Sequence, residues 1–255
     1  MPRAGSVAIL FGALIAAALT PALPALPQPS TIPFAPVNVK LPPAPAAAGF
    51  AAFRQHLAAI AKDRVFDELA RAVVPQGFFW DRDFTDAFDP KKTSAENLAA
   101  AIHLEQGTGL GWQMLADFAA EPTAAEIPTA PGVLCAPGRP LFEQDEFDRL
   151  LDTTRSAAAD WVFPRADGLE LRAAPRPTGA LVEKLGSYFL RLARSGEAAD
   201  TANALRTAWT RVSAPTGKLG FAAPGTLASL SAPQLCYVKD VVGRWRIAGF
   251  IGAGN

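Results

Sequence analysis

Two thiols, two imidazoles and a short acidic run are the groups in this chain with chemistry to offer. Cys135 and Cys236 are its only cysteines, and His56 and His103 its only histidines. A cysteine peptidase needs a thiolate beside an imidazole that can hold its proton. Both histidines precede Cys135, and Cys135 runs into Ala136-Pro137-Gly138 rather than a helix start, so order and context are wrong for that reaction. Two Cys and two His supply four zinc ligands on paper, but no pair has ligand spacing. An even number of thiols far apart in the chain suits one disulfide in an oxidising compartment, pinning the segment around Cys135 to the last hairpin. Two separately buried free thiols are the alternative.

Asp81, Asp83, Asp86 and Asp89 invite a calcium loop. With Asp81 as first ligand, Asp86 falls where the sharp-turn glycine belongs and Lys92 where the bidentate glutamate belongs, so the motif fails. Asp81, Asp83 and Glu105 could supply a carboxylate pair for sugar hydrolysis, a chemistry decided by their separation. Gly217-Lys218 lacks the flanking residues of a phosphate loop, and Gly107-x-Gly109-x-Gly111 has the wrong spacing for a dinucleotide turn. Both read as turns. No complete catalytic motif is present, so the expectation is a protein that is not an enzyme and that uses no cofactor and no metal.

The elements that would position these groups follow from composition and periodicity. The chain has 255 residues, half of them apolar, with 24 basic and 24 acidic side chains. That excludes a wholly disordered chain and a nucleic-acid binder that relies on neutralising phosphates. Arg3 precedes an uncharged Ala/Leu/Ile run, Val7 to Leu19, too short to span a bilayer. It reads as a signal peptide over residues 1–22, with an uncleaved anchor as the alternative. Nine prolines between positions 21 and 45 bar helix and central strand, so 23–48 reads as a disordered, polyproline-like tether.

Residues 49–122 read as a helical module. Phe50, Phe53, Leu57, Ile60, Phe66, Leu69 and Val73 recur at helical spacing, an amphipathic helix with room for one break that ends before Pro75. Thr93-Ser94-Ala95-Glu96 has the form of a capping box, and Trp112, Leu115 and Phe118 mark a further helix. Its expected core is Phe53, Leu57, Leu69, Phe79, Trp80, Leu98 and Trp112. Residues 123–167 read as an acidic connector. From 168 onward glycine and proline recur every few residues between short β-forming runs, the pattern of a small barrel.

Here the residues carry a resemblance. Gly168-Leu169-Glu170-Leu171-Arg172-Ala173-Ala174-Pro175 is similar to the opening strand and RT-type loop of the bacterial SH3 (SH3b) family, and Ala180 to Gly186 to its second strand. Trp209-Thr210-Arg211-Val212 followed by Gly217-Lys218-Leu219-Gly220-Phe221 resembles that family's Trp-x-x-Val, Gly-Lys-x-Gly-Tyr hairpin. An insertion from Ser195 to Thr207 and Ala222 depart from the pattern. The resemblance implies an SH3-like barrel over 168–255, with the hairpin 233–251 as an addition, inside a secreted SH3-containing envelope protein. Such barrels take extended chains in shallow aromatic grooves. The candidate ligand residues are Arg172, Tyr188, Arg211, Lys218, Tyr237 and Trp245, while Trp209 and Phe221 are assigned to the core.

Charge is opposed along the chain. Residues 117–170 carry eleven acids against four bases, and 171–255 the reverse. The connector could therefore lie against the barrel, or the barrel could face an anionic envelope polymer. The reading as a whole is an α+β protein, periplasmic or secreted, that recognises peptidoglycan peptide or an envelope protein partner without catalysis. It expects no nucleic acid, and a membrane only through the leader. A wall hydrolase using carboxylates of the helical module, or a structural assembly subunit, are the alternatives.

Overall fold

The apolar spacing after Phe50 folds as two helices, α1 (Phe50–Asp63) and α2 (Phe66–Ala72). The break is at Arg64, which takes the left-handed conformation (φ 57°) and donates its N–H to the Ile60 carbonyl, ending α1. The computed structural model describes residues 31–253 apart from 83–84, 105–106, 129 and 194–200. The signal peptide, the first part of the expected tether, Asp83, Glu105 and the start of the expected insertion lie outside the described residues.

Two helices follow, α3 (Ser94–Ala101) and α4 (Leu110–Ala120). The expected capping box is formed: Thr93 Oγ1 accepts from the Glu96 N–H at 3.2 Å, and Glu96 Oε2 accepts from the Thr93 N–H at 2.7 Å. The buried Asn97 amide then ties the acidic loop to α3, accepting from the Asp89 N–H and donating to its carbonyl, both at 2.9 Å. Leu57, Leu69 and Leu98 are fully buried as expected, with Phe53, Trp80 and Trp112 packed around them.

These helices cover a five-stranded sheet. Its strands are β1 (Phe79–Asp81), β2 (Ala125–Ile127), β3 (Ala130–Ala136), β11 (Gln234–Lys239) and β12 (Trp245–Ile251), in the order β1-β12-β11-β3-β2. The final hairpin therefore belongs to the helical module and not, as expected, to the β part. Its apolar residues explain the choice: Leu235, Tyr237, Ile247 and Phe250 all enter the core under α1 to α4. Strand β12 runs parallel to β1, with Gly249 opposite Phe79. A Cβ at Gly249 would lie 2.4 Å from the Phe79 ring, so only glycine admits this contact.

The second sheet holds seven strands: β4 (Trp161–Pro164), β5 (Glu170–Arg172), β6 (Leu181–Lys184), β7 (Leu190–Leu192), β8 (Thr210–Ser213), β9 (Leu219–Ala222) and β10 (Leu227–Ser229). Their order is β10-β4-β7-β8-β9-β5-β6, an open sequence of pairings in place of the closed barrel expected. One face packs Val162, Leu171, Leu190, Val212 and Ala222 together. Residues 123–167, expected as a connector, instead supply β2, β3, β4 and the helix α5 (Gln144–Thr154), because Phe147, Leu150, Trp161 and Phe163 among its acids are buried. A last helix, α6 (Thr201–Thr207), lies against β10.

The other face of this sheet corrects the tether. Residues 31–42 form a strap over it, with Val37 and Val39 buried beside Phe147, Trp161, Phe163 and Phe189. Proline removes a donor only at its own position, so the residues between still bond: Phe34 N to the Pro215 carbonyl at 3.0 Å, Val39 N to Ser187 at 2.9 Å and Lys40 N to Leu141 at 2.8 Å. The Phe34 ring meets Trp161 edge to face at 4.9 Å.

Candidate functional site

The expected disulfide is present. Cys135 of β3 and Cys236 of β11 face each other across adjacent strands and are bonded, fully buried. They are structural and take no part in a site. Among the described residues there is no cluster of three His, Cys, Asp or Glu able to hold a metal. Asp81 is exposed and accepts from the N–H of Arg82.

A depression open to solvent lies on the seven-stranded module. It measures about 530 Å³ and is lined by Arg165 to Glu170, Arg172, Pro177, Trp209 and the turn around Gly225. Trp209 stands just ahead of β8, is only half-buried and lines the groove. One wall is the loop after β5. Ala173 N donates to the Ala180 carbonyl at 2.8 Å, and Gly179 N to Arg176 at 3.0 Å. The Arg172 guanidinium donates to the Gly179 carbonyl at 3.1 Å and pairs with Glu170, which fixes it against its own loop. The other wall is closed by Thr226, whose Oγ1 donates to the Ala223 carbonyl at 2.7 Å, and by Gly225 N donating to Leu205 at 2.7 Å. A groove with walls this tightly bonded needs little reordering to bind.

Arg165 joins this groove to a cleft between the two modules. The cleft, about 360 Å³, is walled by Met114, Phe118, Leu205, Leu227 and Pro233. Two ion pairs cross it: Glu121 with Arg165, and Asp117 with Arg206 at 3.0 Å. Glu121 is buried and also accepts from the Thr123 N–H and hydroxyl, so all its oxygens are engaged.

The six candidate ligand residues separate. Arg172 lines the groove. Tyr188 is half-buried and paired with Asn38 of the strap; burial raises the pKa of its phenol. Arg211 and Lys218 are exposed on β8 and on the following turn, away from the groove lining. Tyr237 and Trp245 belong to the other sheet; Tyr237 is fully buried, out of reach of a ligand, whereas Trp245 lines a separate depression with His56, Glu68 and Arg71, away from the groove. Burial drives the Tyr237 pKa upward, against the opposing pull of Arg54. The Trp245 indole donates to the Ala48 carbonyl at 3.0 Å. Both serve the hairpin's packing under α1. Trp209, an aromatic of the resembling hairpin assigned to the core, lines the groove together with Arg165, Asp167 and Pro177, which the sequence does not mark. Trp209 carried a signal, since it heads the hairpin on which the resemblance rests.

No helix among the described residues is long and apolar enough to cross a membrane, and the disulfide fits an oxidising compartment. No family model, curated protein or solved structure matches this chain.

Proposed function

We propose that this chain is a noncatalytic recognition module of the cell envelope, exported by its leader, whose SH3-like part holds an extended peptide in the Trp209 groove. The observation that carries this reading is the half-buried Trp209 indole, set between two hydrogen-bonded walls in a depression of about 530 Å³. An indole face gives a peptide a large, stiff contact with few rotatable bonds to freeze. Asp167, Glu170, Arg165 and Arg172 line the groove already engaged, Arg165 with Glu121, Arg172 with Glu170 and Asp167 with the Ser187 hydroxyl, so a peptide's amines and carboxylates would meet their remaining donor and acceptor positions. Peptidoglycan peptide carries both groups and is the leading ligand; a protein segment is the second. The β8–β9 hairpin, with its register Arg211 to Phe221 and Val212 to Gly220, supports the SH3-like reading.

Co-sedimentation of the mature protein with purified peptidoglycan tests the proposal. Wild type is retained without release of wall fragments, and Trp209→Ala lowers retention by about tenfold, the factor that a loss of about 1.4 kcal/mol of contact produces. Retention equal in both proteins, or wall fragments released, removes the reading.

A further inference from the structure

Thr31 and Ile32 of the strap border a further depression, separate from the Trp209 groove. It measures about 440 Å³, and Asp160, Arg191, Arg211 and Ser213 are its polar lining on the sheet side. Strand register brings its two cations together. Arg191 of β7 pairs with Ser213 of β8, and Leu192 with Val212. Because side chains alternate, Arg191, Ser213 and Arg211 share the face opposite the buried Val212. The two arginines are diagonal neighbours on adjacent strands, where like charges repel.

Neither arginine side chain has a hydrogen bond or ion pair among the described residues, although Arg191 is half-buried. The carboxylate that lines the depression, Asp160, already accepts from the Ala157 N–H at 3.0 Å through Oδ2. At the floor, the Thr31 and Ser213 hydroxyls bond each other, and Thr31 N donates to the Gly217 carbonyl at 2.7 Å. Gly217 leaves room for that strap residue, since a Cβ there would lie 2.5 Å from the Thr31 oxygen. A half-buried guanidinium beside a second one, with hydroxyls beneath, is an arrangement that an oxyanion completes.

We propose that Arg191 and Arg211 form a binding site for an anionic group, the carboxylate or phosphate of an extended polymer, and that the docked strap builds one wall of it. The site stands apart from the Trp209 groove and does not rest on the function proposed for it. Calorimetric titration of the mature protein with inorganic pyrophosphate and, separately, with triglutamate tests the inference and distinguishes the two oxyanions. At least one probe binds, more weakly as salt is raised. Arg191→Gln and Arg211→Gln each weaken binding at least tenfold, Arg191→Lys restores part of it, and Trp209→Ala leaves it unchanged. Binding by pyrophosphate alone identifies phosphate, and by triglutamate alone carboxylate. Absence of binding by both probes, or affinity that survives in the double Arg191→Gln/Arg211→Gln variant, overturns the inference.

Discussion

Glu121, just past the end of α4, is ion-paired with Arg165, just past the end of β4, so a carboxylate of the helical module grips a guanidinium that lines the groove of the other module. The carboxylate is buried, while about a third of the arginine side chain reaches solvent. Glu121→Gln keeps the shape and removes the charge. It is expected to lower stability by about 2 kcal/mol, the scale of a charged hydrogen bond. Urea unfolding checks it; an unchanged midpoint would show that the Glu121 charge contributes nothing to holding the modules together.

The disulfide closes a loop between residues 101 apart in sequence. Restricting so long a loop in the unfolded chain contributes about 4.7 kcal/mol in the entropic model. Cys135→Ser/Cys236→Ser, or reduction, is expected to lower the unfolding free energy by that order. Denaturant titration with and without reductant measures it. A loss below about 1 kcal/mol would place the bridge's value elsewhere, in kinetics or in resistance to proteolysis.

The strap makes a prediction that a tether does not. Lys40 sits in a segment whose backbone is bonded to Leu141 and whose neighbour Val39 is buried. Cleavage after Lys40 by trypsin is therefore slow in wild type. Val37→Asp/Val39→Asp puts charge against Phe189 and Trp161, frees the strap and speeds cleavage at least tenfold. Equal rates would mean that the strap is loose in solution.

The N-terminus of α3 has a pH signature. The Thr93 backbone N–H, then its hydroxyl, hold the Glu96 carboxyl below its ordinary pKa. A carboxyl depressed in the folded state stabilises above its unfolded pKa, and that share is lost as pH falls through the folded value. Thr93→Ala is expected to cost about 1 kcal/mol at neutral pH. The difference between wild type and variant shrinks on acidification below the ordinary glutamate range. Parallel pH profiles of the two unfolding midpoints would contradict this.

Much of the fold was legible because its signals are local. Helical spacing from Phe50 to Val73, the Thr93 to Glu96 cap and the Trp209 to Phe221 hairpin each show within one element. What was hidden depends on distant partners. Nothing near Trp245 or Phe250 says that their strand will lie beside Phe79 and Trp80, so the last hairpin was assigned to its neighbours in sequence. The Pro33 to Pro42 segment has the same extended backbone whether it floats or docks; Val37 and Val39 decide, and only once Trp161 and Phe189 are assembled beneath them. Of the candidate ligand residues, Arg172 lines the groove, and Trp209 lines it too. A tryptophan heading a strand serves core and groove equally well in the sequence, and only its exposure separates the two.

The proposed function stands on contact between Trp209 and the ligand. The chain holds five tryptophans, and Trp161 and Trp245 are buried. With the indole N–H resonances assigned by single substitution, titration of soluble peptidoglycan stem peptides into the mature protein reads the groove directly. The Trp209 indole resonance is expected to shift saturably while those of Trp161 and Trp245 stay in place. Binding that leaves Trp209 unmoved, or no shift at any indole up to saturating peptide, contradicts it.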